Sequence, residues 1–175
     1  TLNVTDENEG NLTATAVENS GANMTLDIER QLSASYLSAL KGNLSVNAAN
    51  VVLNDADDAS VQNAMNVNDG ASLSVIASGT VSATGVVSNR GNTTINAATV
   101  SLGNISNNGE NAVMKVGSST SPNGTITIAG DIANNNGNFT LHAKNVSVNG
   151  LLDVKNQGVT TIIGSDSGDG APIQF

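Results

Sequence analysis

What most constrains this chain is a repeat of about 20 residues that returns along its whole length. Its clearest copy runs from Gly91 to Gly109. Thr93, Ile95 and Ala97 alternate with polar neighbours, Val100 and Leu102 alternate again, and Ile105 stands between Gly103 and the corner Asn107-Asn108-Gly109. Alternation with period two puts one set of side chains on one face of an extended strand. None of the three segments is long enough for a sheet strand with its own hairpin. The unit makes sense if the chain coils, each triplet of short strands forming one turn that stacks on the next.

The other copies line up in columns. Leu44, Leu73, Thr93 and Phe139 share one position, then Val46, Val75, Ile95 and Leu141, then Ala48, Ala77, Ala97 and Ala143. A second strand places Val51, Val100 and Val146 together, followed by Leu53, Leu102 and Val148. A third aligns Val87 with Ile105 and Asn89 with Asn107. Turns framed at Gly10, Gly42, Gly70, Gly91, Asn111, Gly137 and Gly158 are separated by 32, 28, 21, 20, 26 and 21 residues. A floor near 20 with occasional insertions is the mark of a solenoid whose loops bulge from a constant coil. The expected fold is all-β, a parallel β-helix of about seven coils in one domain spanning 1–175. Because the chain begins and ends inside the repeat, it is expected to be a segment of a longer repetitive protein.

Composition removes several classes of function. Charged residues are 12% and aromatics 2%, against 38% in the hydrophobic set. Low charge with abundant Val, Ile, Leu and Ala argues against disorder. So few aromatics leave no surface for stacking sugars or bases. Six Lys and Arg in a chain of net charge −9 leave no basic patch, so nucleic acid is not an expected partner. There is no cysteine for a disulfide framework and no apolar run long enough to span a membrane, and a signal peptide at Thr1 is not expected.

Taken in order, Leu2–Thr5 reads as the last strand of a turn, closed by an acidic corner at 6–10. Leu12, Ala14 and Ala16 then point inward in a first strand, with Met24, Leu26 and Ile28 in the second. Arg30 to Lys41 supports two readings. Leu32, Tyr36 and Leu40 have helical spacing, whereas Leu32, Ala34 and Tyr36 alternate. The columns on either side favour a strand. Asp55 to Gly70 carries an acidic insertion read as a solvated loop. It and Asp166-Ser-Gly-Asp169-Gly are weakly suggestive of a calcium site, but the nine-residue glycine-aspartate repeat of calcium-binding β-rolls is absent. Pro122 marks a second lengthened loop, Gly117 to Asn123. Asn89, Asn107, Asn134 and Asn156 recur at one corner, where asparagine tolerates left-handed angles and its amide can bond its copy one turn away.

Catalytic chemistry is not expected, and neither a metal nor a cofactor. The one histidine, His142, falls on an outward strand position, and no Gly-x-Ser-x-Gly elbow or P-loop is present. Asp131 and Asp153 are isolated, and Arg30 and Arg90 lie in separate turns.

The pattern Gly-Asn-Leu-Ser-Val-Asn-Ala-Ala-Asn-Val-Val-Leu from Gly42, with Gly-Asn-Ile-Ser-Asn-Asn-Gly from Gly103 and Gly-Asp-Ile-Ala-Asn-Asn-Asn-Gly from Gly130, resembles the repeats of filamentous haemagglutinin-like and high-molecular-weight adhesins. The resemblance spans about the whole chain. It implies a right-handed parallel β-helix from a bacterial exoprotein exported by two-partner secretion, secreted or held at the cell surface. It further implies attachment to glycans or proteins of host cells or other bacteria, with an outer-membrane transporter as export partner. Family members glycosylated at Asn-x-Ser/Thr sequons point to Asn11, Asn43, Asn92, Asn104, Asn138 and Asn145, among nine sequons here.

Two other classes share features with this pattern. β-Helices also host carbohydrate-active lyases and hydrolases, which gather Asp, Lys, Arg and aromatics in one groove. Thr93-Thr94, Thr125-x-Thr127 and Thr160-Thr161 evoke an ice- or crystal-binding solenoid. Met114-Lys115 and Ser45-Val46 interrupt that pattern.

Overall fold

The computed structural model describes residues 2–4, 10–54, 63–117, 124–164 and 173–174. Among them the structure is strands and turns, with no helix. The first coils carry β1 (Leu2–Val4), β2 (Leu12–Asn19), β3 (Met24–Ile28) and β4 (Gln31–Ala39). Three strands per coil follow: β5 (Asn43–Ala48), β6 (Asn50–Leu53) and β7 (Asn63–Val67), then β8 (Ser72–Ala77), β9 (Thr80–Ala83) and β10 (Val86–Asn89). The next coil has β11 (Asn92–Asn96), β12 (Thr99–Leu102) and β13 (Ile105–Asn107). After it come β14 (Val113–Gly117), β15 (Thr125–Ile128) and β16 (Ile132–Asn134), then β17 (Asn138–His142), β18 (Asn145–Val148) and β19 (Leu152–Val154). β20 (Val159–Ile163) and β21 (Ile173–Gln174) belong to the last coil.

Every strand pair among the described residues is parallel, and each complete coil passes through three walls. Wall one is an eight-stranded sheet in the order β1-β3-β5-β8-β11-β14-β17-β20. Walls two and three form one 13-stranded sheet hinged at β4, whose first half pairs with β6 and second half with β7. A parallel pair needs a long crossover between its strands. Here the other two walls supply it, so no helix is required. The register of wall one steps from Met24 to Leu44, Leu73, Thr93, Met114, Phe139 and Thr160, intervals of 20, 29, 20, 21, 25 and 21 residues. The two long steps contain the insertions expected after Asp55 and after Gly117. This is a parallel β-solenoid of about seven turns and about 21 residues per turn.

Its core is the stack of inward rows. Val46, Val75, Ile95, Val116 and Leu141 succeed one another in wall one, each fully buried. Val51, Val81, Val100, Ile126 and Val146 do the same in wall two. The columns from Gly42 onward therefore stand as read, with Ile95 inside and Asn96 on the outer face.

The start of the chain is framed differently. Leu2 pairs with Leu26 and Met24 with Leu44, so Met24–Ile28 is wall one, and the segment after Gly10 belongs to walls two and three. The 32-residue first interval merged parts of two turns. The cause lies in β2 and β4, which run unbroken through a corner that later coils mark with Gly85 or Gly103. The corner survives as a change of phase. Leu12 and Ala14 pack inward, but beyond them Val17 and Asn19 are buried, not Ala16. In β4, Leu32 and Ala34 give way to Leu37 and Ala39, leaving Tyr36 half-exposed. Arg30 to Lys41 is thus a strand, as its neighbours demanded.

A second correction concerns Asp55 to Gly70. Residues 55–62 lie outside the described residues, as do residues 6–9 of the acidic corner, residues 118–123 and Asp166–Gly170. Residues 63–67, however, are wall-three strand β7, with Ala64, Met65 and Val67 in the core. Excising Asp57 to Asn66, which a simple surface loop would tolerate, removes two of those core residues.

The glycines at turn starts have a steric origin. Gly42 has φ +64, and a Cβ there would lie 2.6 Å from the carbonyl oxygen of Gly21 one coil below. Gly137 packs flat on a buried amide, where a Cβ would sit 2.5 Å from Nδ2 of Asn107. Only a residue without Cβ lets the turns approach this closely.

Candidate binding surfaces

The recurring corner asparagines are buried, and they form a directed chain of hydrogen bonds. Asn89, Asn107 and Asn134 occupy one inward row of wall three at 0% exposure. The Asn89 amide donates from Nδ2 to Oδ1 of Asn107 at 2.7 Å, and Asn107 donates to Oδ1 of Asn134 at 2.8 Å. Thr93 closes one end, its hydroxyl donating to Asn89 Oδ1 at 2.9 Å. At the other end Asn134 Nδ2 donates to Thr160 Oγ1 at 3.0 Å. The inward threonines of wall one stand where the ladder ends. Among the described residues no buried side-chain polar atom is left without a partner, as the cost of burying an unpaired amide requires.

Asn156 is not a rung. Val154 holds the register after Asn134, and Asn156 instead adopts φ 55, the only non-glycine positive φ among the described residues. Left-handed tolerance and amide stacking are thus used by different asparagines.

The six sequon asparagines all lie on the surface, each at the start of a strand. Asn43, Asn92 and Asn138 open wall-one strands in a single register. Asn11 precedes β2, Asn145 opens β18 in wall two, and Asn104 precedes β13 in wall three. Oδ1 of Asn11 accepts from the Gln31 backbone N–H, and Oδ1 of Asn104 accepts from that of Asp131. Both bonds engage the amide oxygen and not Nδ2, the atom a glycan would be joined to.

Wall two has the most uniform exterior. One outer row runs Asn11, Gln31, Asn50, Thr80, Thr99, Thr125 and Asn145; the other runs Thr13, Ser33, Val52, Ser82, Ser101, Thr127 and Ser147. The threonine pairs noted in the sequence divide between surfaces. Thr125 and Thr127 belong here, Thr94 and Thr161 to the outer face of wall one, and Thr93 and Thr160 to its interior side. Met114, Lys115, Ser45 and Val46 also belong to wall one, so they do not interrupt the wall-two rows.

An open depression of about 450 Å³ lies between walls one and two, lined by Asp27, Ile28, Glu29, Asn47, Ala48, Ala49 and Ser78. Asn47 Nδ2 donates to Asp27 Oδ1 there at 2.6 Å. No Lys, Arg, His or aromatic residue lines it. His142 lies half-buried on the outer row of wall one, with Gly117 and Ile163 as its register partners. Among the described residues no group of three His, Asp or Glu is placed to share a metal ion. The structure thus brings the ladder asparagines together and leaves the sequon asparagines distributed over all three walls. Comparison with protein-family models, with curated proteins and with solved structures finds no match to this chain.

Proposed function

We propose that the chain is a shaft or binding segment of a bacterial adhesin, secreted or displayed on the cell surface, that attaches without catalysing a reaction. The supporting observation is the constancy of the coil. Register is held through wall one from β1 to β20, so contacts repeat along the surface instead of converging on one cleft. The partners in this reading are glycans or proteins of host or bacterial surfaces, with an outer-membrane transporter acting in export. A chain without cysteine suits passage across a membrane unfolded. The exposed sequons at Asn11, Asn43, Asn92, Asn104, Asn138 and Asn145 are the positions proposed to carry glycans in the producing cell. Peptide mass spectrometry of the native material tests this.

Beads carrying the intact chain should adhere saturably to cultured epithelial cells or to bacteria, with soluble chain competing. Adherence no greater than that of beads bearing an unrelated acidic solenoid removes the reading. The carbohydrate-active alternative draws on one feature, the carboxylates of Asp27 and Glu29 beside an open depression. Release of reducing ends or unsaturated uronates from polysaccharides, lost on Asp27→Asn, would establish it.

A further inference from the structure

We propose that the outer face of wall two docks a neutral, extended polysaccharide chain. The inference rests on the adhesin reading and names its ligand class. Two independent observations carry it. The first is charge. None of the fourteen positions in the two outer rows is charged, in a chain with 6 basic and 15 acidic residues. The outer rows of the other walls do carry charge: Asp27 and Lys115 in wall one, Glu18 and Asp153 in wall three. A phosphate, a uronate or a cationic peptide finds no counter-charge on wall two, whereas a hydroxyl-bearing neutral ligand meets no ion that must be desolvated.

The second observation is a set of hydroxyls with no hydrogen-bond partner among the described residues. Ser33 accepts from Gln31, and Ser147 donates to Asn149. The hydroxyls of Thr80, Ser82, Thr99, Ser101, Thr125 and Thr127 engage no other described residue. They stand in register on three consecutive coils. Adjacent strands lie about 4.8 Å apart and alternate residues about 6.7 Å apart along a strand. The first spacing is close to the advance of one sugar in an extended β-1,4-linked glycan, so such a glycan along the solenoid axis meets one hydroxyl pair per residue. Seven strands give the face a length of about 29 Å. Ordered ice is less well matched. Only five of the fourteen positions are threonines, and serine, asparagine and glutamine leave gaps in any grid of methyl groups.

The test uses the intact chain on immobilised cellulose, β-1,3-glucan and chitin, with polygalacturonate as the charged control. Retention is expected on at least one neutral glycan, unchanged between about 0.05 and 0.5 M salt because no ion pair is involved. Ser101→Glu with Thr125→Lys should weaken it at least about tenfold, while Ser106→Lys on the outer row of wall three leaves it intact. Circular dichroism establishes that each variant is folded. Failure of the folded chain to bind any of the three neutral glycans overturns the proposal, as does equal retention of the double variant. Inhibition of ice recrystallisation that disappears in the double variant assigns the face to ordered water and likewise overturns it. Cell adherence that persists in the double variant, with no glycan retention by either protein, removes this ligand and leaves the adhesin reading standing. Loss of both in the parent chain removes both.

Discussion

Along one inward row of wall three the early coils place Asn19, Ala39 and Val67, whereas the middle coils place Asn89, Asn107 and Asn134. The backbone register is the same, but the side chains are satisfied in different ways. Asn19 has no amide neighbour above it, and its Nδ2 faces three backbone carbonyls: Ala22 at 2.7 Å, and Lys41 and Asn43 at 3.0 Å. In the middle coils each amide passes its hydrogen bond to the next, and Nδ2 keeps one carbonyl of the coil above: Val113, Asn138 and Val159 in turn. Those carbonyls share a register with that of Asn43. A lone buried amide is therefore held by the turn, and a run of amides holds itself. A net hydrogen bond contributes about 1 kcal/mol and burial of a valine about 2 kcal/mol, so either filling supports the coil. An amide with neither an amide neighbour nor a carbonyl would not.

The largest effect comes from forcing charge into a row with neither solution. Ile95 is fully buried between Val75 and Val116. Ile95→Asp removes its apolar burial and places a carboxylate where no donor waits, at a cost of at least about 4 kcal/mol. Denaturant titration should find the variant unfolded or far less stable. A shift smaller than that of the ladder variants below would mean that the apolar rows are not the main support.

Asn107→Ala breaks the middle rung. It takes the acceptor from Asn89 Nδ2 and the donor from Asn134 Oδ1, and its expected cost is about 3 kcal/mol. Asn19→Ala leaves backbone carbonyls that water can reach at the turn, so it should cost about half as much. Equal costs would show that the ladder adds nothing beyond its separate bonds.

Much of this architecture could be read before the coil was seen. From Gly42 onward every turn is punctuated by glycine or Asn-Gly, and alternation between those marks placed Ile95, Val100 and Ile105 inside. Glycine spacing alone misframes the first turn because β2 and β4 take their corner by a phase shift at Ala16 and Tyr36, which leaves no glycine to mark it. Met65 is hard to place from sequence because five residues of strand follow an acidic insertion and inherit its appearance. The candidate surfaces were harder to read. Exposure of the sequon asparagines followed from strand position. The threonine pairs, by contrast, looked like one interrupted motif until closure of the coil assigned them to different walls. Sequence alternation tells inside from outside within a strand, but which outer faces are contiguous depends on how three walls close.

Val67→Asn sharpens the comparison by lengthening the ladder by one rung. The new amide would stand in register with Asn89 on one side and Ala39 on the other. Loss of valine burial, about 2 kcal/mol, is offset by one or two hydrogen bonds of about 1 kcal/mol each. The net destabilisation should be at most about 1 kcal/mol in wild type. In Asn107→Ala the remaining ladder is shorter, and the same substitution should cost no more than in wild type if rungs act only through adjacent partners. A cost that rises in the double variant would show that hydrogen bonds along the row reinforce one another over more than one coil.

The smallest effect is expected just outside the row that Ile95 fills. Asn96 is the next residue in β11, on the outer face of wall one, with Ile76 as its register partner. Asn96→Asp adds a carboxylate of nearly the same shape where water can solvate it, so neither cavity nor desolvation enters. The expected change is under about 0.5 kcal/mol, within the usual range for a surface substitution. Measured side by side with Ile95→Asp, the pair places the same carboxylate one residue apart, on opposite faces of one strand. Coincident denaturation midpoints would refute the alternation on which every row in the solenoid depends.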